Sequence, residues 1–376
     1  MNTLDLTKKL IACPSVTPKD EGAQGVLGEF LSDAGFECHH LPFGDGDERV
    51  PNLFARIGSE GPHLCYAGHT DVVPPGPEEA WTFGPFNPEV KDGVLYGRGA
   101  SDMKGSVAAF AVAAAEFIKS GGFKGSISLL ITGDEEGPAV NGTVKVLEWM
   151  EEHGHVPDVC LVGEPTNPGH LGQEVKIGRR GSLNGYLTVN GTQGHVAYPH
   201  LAQNPLPELI QMLGVLTAHV FDEGTEFFAP TNLEITTIDV GNPATNVIPA
   251  QGRAEFNIRF NDTWTRQSLQ EKILELLQST GRPYEIEFEG NAESFITQPG
   301  AWSEIVQNAV CDVTGKVPEC TTSGGTSDAR FIVDYCPVIE CGAINASIHQ
   351  IDENAAVEDL EKLTKIYGRI LERYFS

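Results

Sequence analysis

Imidazole and carboxylate side chains follow several separate apolar runs in this sequence. They are His69 and Asp71 after HLCYAG, residues 134–136 after SISLLITG, Glu164 after DVCLVG, and His349 after PVIECGAINASI. Asp102 lies in GRGASDMKGS, just before an Ala-rich segment that is typical of a helix packed on a sheet. Two histidines with several carboxylates and no thiolate are ligands that suit Zn²⁺, Mn²⁺ or Co²⁺, with zinc the default.

A pair of metal ions would explain the number of acids. Five carboxylates brought together without cations would repel one another strongly. Two ions that share a bridging carboxylate, about 3.5–4 Å apart, form a hydrolytic clamp. The second ring nitrogen of His69 would then need a partner, and Asp71 is well placed for it. Because consecutive side chains diverge, one of Glu135 and Glu136 can bind metal while the other acts as a general base.

Each of these residues also has an ordinary structural explanation. An aspartate such as Asp102 is usually a helix cap or a turn residue. Adjacent acids such as Glu135 and Glu136 usually form a solvated loop, and a lone histidine such as His349 is more often on the surface or in the core than on a metal. The coincidence of four strand ends favours a site, because open α/β sheets bind ligands beyond the carboxyl ends of their strands.

The order of predicted elements indicates two domains. Strands alternate with helices through the first 180 residues, which predicts an α/β domain with a mostly parallel central sheet flanked by helices. From about Ser182 the order becomes β-α-β-β-α-β, the ferredoxin-like signature. We therefore predict a discontinuous catalytic domain of residues 1–180 and 293–376, with an inserted α+β domain of residues 181–292.

The amino-acid composition argues against several classes of partner and indicates a cellular location. The 376 residues include 25 Lys and Arg against 52 Asp and Glu, a net charge of −27, which argues against nucleic acid and anionic membranes as partners. The longest apolar run, VAAFAVAAAEF, is far below the roughly 20 residues of a membrane span, and the first residues do not resemble a targeting signal. The eight cysteines are scattered without a C-x-x-C pair, which favours reduced thiols in the cytoplasm.

Five stretches in order, GHTDVVP, GRGASDMKGS, TGDEEG, VGEPT and SIHQIDE, resemble the co-catalytic zinc amidohydrolases, a family that includes aminoacylases and deacetylases. The resemblance covers the whole chain. It implies a zinc-peptidase-like catalytic domain with two zinc ions, for which cobalt or manganese can substitute, and a homodimer formed through an inserted lid domain. Carried over by position, it implies His69 and Glu164 on the first zinc, Glu136 and His349 on the second, Asp102 on both, Asp71 holding His69, and Glu135 as general base and acid.

Further stretches, GRRGS, GTQGHVAYPHLAQNP, SGGTSDARF and NASIH, resemble the family members that remove a succinyl group from diaminopimelate. This resemblance implies that His195 reaches the site across the dimer, when the lid closes, and stabilises the oxyanion. It implies that the carboxylates and amide of the substrate are held by Arg179, Tyr198, Asn246, Arg259, Gly325, Thr326 and Asn345. Arginine suits this task because its guanidinium fork pairs with a carboxylate through two hydrogen bonds. The expected substrate is therefore a small dicarboxylate amide of lysine and diaminopimelate synthesis.

Three alternatives remain open on sequence alone. An acetylornithine deacetylase, an aminoacylase or a dipeptidase of the same family would carry the same zinc motifs. A non-catalytic binding protein on this fold should have lost Glu135 or a zinc ligand, and none is missing. A two-carboxylate glycosidase would leave His69, Asp102 and His349 unexplained and would act without metal.

Overall fold

A computed structural model describes residues 1–121 and 123–376, which divide into two compact units. The first unit comprises Met1–Ile177, Thr297–Thr321 and Ser327–Ser376, and the second comprises Gly178–Ile296 and Thr322–Thr326. The sequence places the inserted domain at residues 181–292, and the main segment of the second unit is Gly178–Ile296. Thr322–Thr326, which the sequence placed with the catalytic domain, group with the second unit. Within that unit the Thr322 hydroxyl donates a hydrogen bond to the carbonyl of Phe227.

The helices of the described residues are α1 (Thr3–Ile11), α2 (Ala23–Asp33), α3 (Lys104–Ser120), α4 (Thr143–Glu152), α5 (Leu206–Ala218), α6 (Arg266–Gln278), α7 (Ala301–Thr314), α8 (Ala329–Ile332) and α9 (Val357–Tyr374). Within the part of the chain that the structure describes, none of these helices is long and apolar enough to cross a lipid bilayer.

The strands are β1 (Glu37–His40), β2 (Leu53–Ile57), β3 (His63–His69), β4 (Glu89–Lys91), β5 (Val94–Tyr96), β6 (Ser126–Thr132), β7 (Val159–Val162), β8 (Glu174–Lys176), β9 (Gly178–Arg179), β10 (Gly181–Asn190), β11 (Gly194–His195), β12 (Asn232–Asp239), β13 (Val247–Ile248), β14 (Gln251–Phe260), β15 (Glu285–Ala292), β16 (Phe295–Ile296), β17 (Glu319–Thr321), β18 (Val338–Glu340) and β19 (Asn354–Ala356).

The large sheet of the first unit has the strand order β1-β2-β6-β3-β7-β18-β8-β17. Its central strands β6, β3, β7 and β18 are parallel to one another, whereas the β1–β2, β2–β6 and β18–β8 pairs are antiparallel. The central strands are almost entirely buried, as expected for a parallel sheet covered on both faces. The predicted α/β fold with a mostly parallel central sheet is confirmed.

Helices α3 and α9 pack together on this unit. In α9 the buried residues Leu360, Leu363, Ile366, Tyr367, Ile370 and Leu371 recur at helical spacing, which defines its apolar face. The alanines of α3 allow close approach, so nearly every residue of its first three turns is buried. Tyr66 of β3 stacks on Phe110 of α3 with 4.2 Å between ring centroids, and Tyr367 meets both rings edge-on. These contacts fix α3, and therefore the loop before it, against the sheet.

The second unit is a four-stranded antiparallel sheet in the order β12-β14-β10-β15, with α5 and α6 contributing to its core. Apart from the two-residue strands β11 and β13, its element order from β10 to β15 is the predicted β-α-β-β-α-β. Burial alternates along β10 and β14, because one face of the sheet is in the core and the other faces water.

A buried histidine in the first unit predicts a pH-dependent stability. His63 is 4% exposed, its Nε2 lies 2.7 Å from the Ser128 hydroxyl, and burial together with the Arg56 charge lowers its pKa to about 4. In the unfolded chain the histidine pKa is near 6.5, so the unfolded state binds a proton on His63 more tightly than the folded state does. The free energy of unfolding should therefore fall by up to about 3 kcal/mol as the pH is lowered from 6.5 to 4. Denaturant unfolding of His63→Gln between pH 4 and 7.5 should show a shallower pH slope than the native sequence. The exposed His170→Gln control should keep the slope, and an unchanged slope in His63→Gln would contradict the assignment.

Candidate metal centre

The parallel strands β6, β3, β7 and β18 bring their carboxyl ends to one edge of the sheet. In this order, His69 at the end of β3 is level with Thr132 at the end of β6, and Ala67 is level with Val162 at the end of β7. His69 is the last residue of β3, the acids 134–136 and Glu164 come within four residues of the ends of β6 and β7, and His349 is on the loop that follows β18. The side chains that follow these four strands therefore lie close together in space.

Asp102 lies between the two histidines of this cluster. Its Oδ1 is 3.2 Å from His69 Nε2 and its Oδ2 is 3.4 Å from His349 Nε2. Glu164 Oε1 is 3.5 Å from the same nitrogen of His69, and Glu136 Oε1 is 3.1 Å from that of His349. The ligand atoms thus fall into two groups, one around each imidazole, that share one carboxylate.

Asp71 ties the end of β3 to the loop that follows β6. The Nδ1 of His69 lies 2.8 Å from the backbone carbonyl of Asp71 and 3.7 Å from its carboxylate, so the carbonyl is the closer acceptor. The carboxylate instead accepts the backbone N–H groups of Glu135 and Glu136, at 3.4 and 3.1 Å. One buried aspartate therefore orients the ring of His69 and positions both glutamates.

Glu135 lies beside His69, and Glu136 lies beside His349. Ligand atoms of His69, Glu135 and Glu164 lie within 4.8 Å of one another, as do those of His69, Asp102 and Glu136. Burial, followed by the charge of Glu164, raises the pKa of Glu135 well above its usual value. Burial and a neighbouring negative charge both favour the protonated form of a carboxyl group.

The carboxylates give the cluster a strongly negative electrostatic potential. Although burial alone would lower the pKa of His69, its hydrogen bond with Asp102 and the charges of the surrounding acids raise that pKa well above its usual value. Hydrogen bonds to Asp102 and then Glu136 raise the pKa of His349 to about 10. The carboxylates that make these imidazoles bind a proton so tightly create a negative potential that also attracts cations.

The residues present fit a pair of divalent ions. Each imidazole Nε2 faces two carboxylates, and one carboxylate directs a separate oxygen toward each imidazole. Imidazole and carboxylate donors suit zinc, cobalt and manganese. The same carboxylates, which repel one another, are stabilised when cations lie between them.

The arginines expected to hold substrate lie in the second unit. Arg179 is buried, and its guanidinium donates hydrogen bonds to the carbonyls of Ser323 and Gly325, at 3.3 and 3.2 Å. Arg259 on β14 is half-buried and donates to Asn257. Burial, and then the neighbouring Arg180 charge, lower the pKa of Arg259. Arg180, which donates to Asn232, was not identified from the sequence, although it lies in the quoted stretch GRRGS.

His195, Tyr198 and Asn246 share one exposed stretch of the second unit. His195 in β11 pairs with Val247 in β13, and its ring centroid is 5.6 Å from that of Tyr198. The backbone carbonyl of Asn246 accepts the N–H of Val196. Because the Nδ1 of His195 accepts the backbone N–H of Ala197 at 3.1 Å, a neutral ring carries its proton on Nε2 and can donate from there.

The remaining predicted contacts are divided between the units. Thr326 lies with Gly325 in the segment that joins the second unit, and Asn345 lies in the first unit on the loop that leads to His349. The N–H of Asn345 donates to the Asn167 carbonyl at 2.9 Å.

Sequence reasoning missed the buried residues that hold the ligand-bearing loops. Asp134 accepts the N–H groups of Val140 and Asn141 and so folds the loop that carries the two glutamates. Glu353 and Arg98 form a fully buried ion pair beside the Asp102 loop. Both lie inside quoted motifs, SIHQIDE and GRGASDMKGS, but nothing in the local sequence predicts that they meet.

Comparison with known proteins identifies the family. A family model described as Peptidase family M20/M25/M40 matches residues 65–373. The chain is 57% identical to a succinyl-diaminopimelate desuccinylase of Rhodospirillum centenum, over 99% of this chain and 97% of that protein. It is 53% identical to the succinyl-diaminopimelate desuccinylase of Xanthobacter autotrophicus, over 99% of each.

Solved structures share the fold at lower sequence identity. The M20 family metallo-carboxypeptidase Sso-CP2 from Sulfolobus solfataricus has a TM-score of 0.80 and 19% identity, over 100% of this chain and 99% of that chain. The YXEP protein of Bacillus subtilis, described as a dinuclear metal binding peptidase from the M20 family, has a TM-score of 0.73 and 16% identity, over 98% and 96% of the two chains. The chain belongs to Peptidase family M20/M25/M40.

Proposed function

We propose that this protein is a metal-dependent amide hydrolase that converts N-succinyl-LL-2,6-diaminopimelate and water into succinate and LL-2,6-diaminopimelate. The observation that carries the hydrolase assignment is the position of Asp102, with one oxygen toward each histidine of the cluster. The choice of substrate is supported by relatives of 53–57% identity that are named succinyl-diaminopimelate desuccinylases. This reaction belongs to lysine and meso-diaminopimelate biosynthesis.

In the proposed site, His69 and Glu164 would hold one zinc ion, Glu136 and His349 would hold the other, and Asp102 would offer one oxygen to each. Cobalt or manganese can replace zinc on the same donors. When bound, such ions supply Lewis-acid polarisation of a carbonyl group and lower the pKa of water. The described relative from Bacillus subtilis, a dinuclear metal binding peptidase, supports two ions.

Glu135 is proposed to move the proton. It takes a proton from the attacking water and later delivers it to the departing amine nitrogen, so one carboxyl group serves as general base and then as general acid. Its buried position beside Glu164 raises its pKa, which favours the protonated form that the second step requires. Asp71 keeps this side chain in place by accepting its backbone N–H.

Residues of the second unit, together with Asn345 of the first, are proposed to recognise the substrate. Arg179 and Arg259 pair with substrate carboxylates, because in a chain of net charge −27 an anionic substrate needs locally placed cations. The proposed contacts to the remaining carboxylate and amide atoms are Tyr198, Asn246, Gly325, Thr326 and Asn345. His195, which can donate from Nε2, is proposed to stabilise the negative charge that develops on the amide oxygen.

A homodimer through the second unit is part of the proposal. Strand β12 lies at the edge of the antiparallel sheet and exposes Ile238, while Ile210 on the neighbouring helix α5 is 67% exposed. An edge strand offers unpaired backbone groups, and apolar side chains beside it favour pairing with a second copy.

We propose a cytoplasmic location, where the eight cysteines, all free in the structure, would stay reduced.

The test is hydrolysis of N-succinyl-LL-diaminopimelate and N-acetylornithine by zinc-loaded protein, with a chelated sample of each as control. We expect strong preference for the succinyl compound and loss of activity on chelation, restored when zinc is added back. Activity on the acetyl compound alone would keep the hydrolase assignment and reject the substrate. Activity that survives complete chelation would reject the metal mechanism.

A further inference from the structure

Glu353 is a fully buried carboxylate close to the proposed metal ligands in both sequence and space. It is 0% exposed and follows His349 by four residues. It has no part in the proposed chemistry, yet it lies against the loop that carries Asp102. A buried charge is costly unless its hydrogen-bonding capacity is satisfied, so its partners indicate its role.

The partners of Glu353 are the backbone of the Asp102 loop and one arginine. Its Oε1 accepts the N–H groups of Ser101 and Asp102, at 2.9 and 3.0 Å. Its Oε2 accepts the N–H of Gly99 at 3.0 Å and the Nη1 of Arg98 at 2.8 Å. Four donors from one short loop therefore converge on two carboxylate oxygens, and this fixes the backbone that leads into Asp102.

Arg98 extends this link to the loop that carries His349. The guanidinium is 2% exposed, and its Nη2 lies 3.5 Å from the carbonyls of Pro74 and His349. Its carbon Cζ is 5.2 Å from the centre of the Trp81 ring, a cation–π contact that closes the other side. The backbone is linked as well, because Gly97 donates its N–H to the carbonyl of Glu353 at 2.9 Å.

The positions of the two carboxylate oxygens of Asp102 depend on how this loop is held. A bridging carboxylate must direct one oxygen to each half of the site, and here the two oxygens are 3.2 and 3.4 Å from the two imidazoles. A small rotation of the 99–102 backbone would move both oxygens at once. The 99–102 backbone must therefore be held in place, and the hydrogen bonds to Glu353 do this.

We infer that the Glu353–Arg98 pair is a positioning device that sets Asp102 between His69 and His349 and thereby sets the affinity for the two metal ions that Asp102 would help to hold. This inference rests on the proposed di-metal function. Neither residue touches substrate or reacting atoms in this account, so both are positioning residues. Outer partners of metal ligands change metal affinity by about 10- to 100-fold when they are replaced.

The test compares E353Q with the native sequence in metal binding. The amide of glutamine keeps one acceptor oxygen and replaces the other with a donor, so at least two of the four N–H groups lose their acceptor. We expect about 10- to 100-fold weaker zinc binding, measured by equilibrium dialysis against buffered free zinc. The visible absorption spectrum of the cobalt-loaded protein should also change, because that spectrum reports ligand geometry.

Asp222→Asn is the matched control. Asp222 also organises a loop by accepting the N–H groups of Gly224 and Thr231, but it does so in the second unit. Both variants are compared well below their unfolding temperatures, and we expect metal affinity to change only in E353Q. Native zinc affinity together with a native cobalt spectrum in E353Q would overturn the inference.

Arg98→Lys provides a second, milder variant if E353Q does not fold. Lysine keeps a cation against Glu353 but loses the fork that reaches the carbonyls of Pro74 and His349. We expect a smaller fall in zinc affinity than in E353Q, and a native affinity would overturn the inference. Native protein that binds two ions but hydrolyses neither amide would contradict the proposed function, whereas the positioning role is judged on metal affinity alone.

Discussion

Replacing Glu135 with glutamine should lower turnover of the succinyl substrate by about 10²- to 10⁴-fold while leaving metal content unchanged. Glutamine has nearly the shape of glutamate but can neither accept nor deliver the proton that amide hydrolysis moves. The raised pKa of Glu135, which follows from its burial and the nearby Glu164 charge, suits a group that carries that proton. Turnover is measured at saturating substrate, and metal content by atomic absorption on the same sample.

Glu136→Gln is the informative neighbour for this experiment. Glu136 lies 3.1 Å from His349 Nε2 and is a proposed ligand, so its replacement should remove metal together with activity. Loss of metal in Glu135→Gln would show that Glu135 is itself a ligand, an arrangement that its closeness to His69 and Glu164 also permits. The two adjacent glutamates therefore separate proton transfer from metal binding.

Asp102→Ala should abolish activity by a different route, through loss of metal from both halves of the site. Each histidine of the cluster would lose the carboxylate oxygen that now lies within 3.4 Å of its Nε2. We expect less than one tightly bound ion per chain, measured after dialysis, and turnover at the uncatalysed background. Two retained ions in Asp102→Ala would contradict the bridging role.

The contrast for Asp102→Ala is His195→Ala. His195 lies in the second unit and is proposed to donate to the oxyanion, so its loss should lower turnover about 10²- to 10³-fold with metal content unchanged. Equal loss of activity and metal in both variants would show that His195 acts through the fold of the protein and not on the substrate.

Several features of this protein followed from sequence because they depend on local pattern. Alternating strands and helices predict a parallel sheet, and residues that follow its strands must meet at one edge, since parallel strands share a direction. His69, Glu136 and Glu164 were predicted to be close on that basis, and the structure brings them into one cluster. The order β-α-β-β-α-β of the second unit likewise follows from the periodicity of its segments.

Tertiary structure alone decided which groups pair. Whether Asp71 meets His69 through its carbonyl or its carboxylate, 2.8 against 3.7 Å, depends on side-chain torsions that local sequence does not constrain. Glu353 and Asp102 are 251 positions apart, and only the docking of the last loop beside α3 places the carboxylate on that backbone. Sequence pattern reports which face of an element is apolar, whereas the position of a buried charge is set by the donors that the whole fold collects around it.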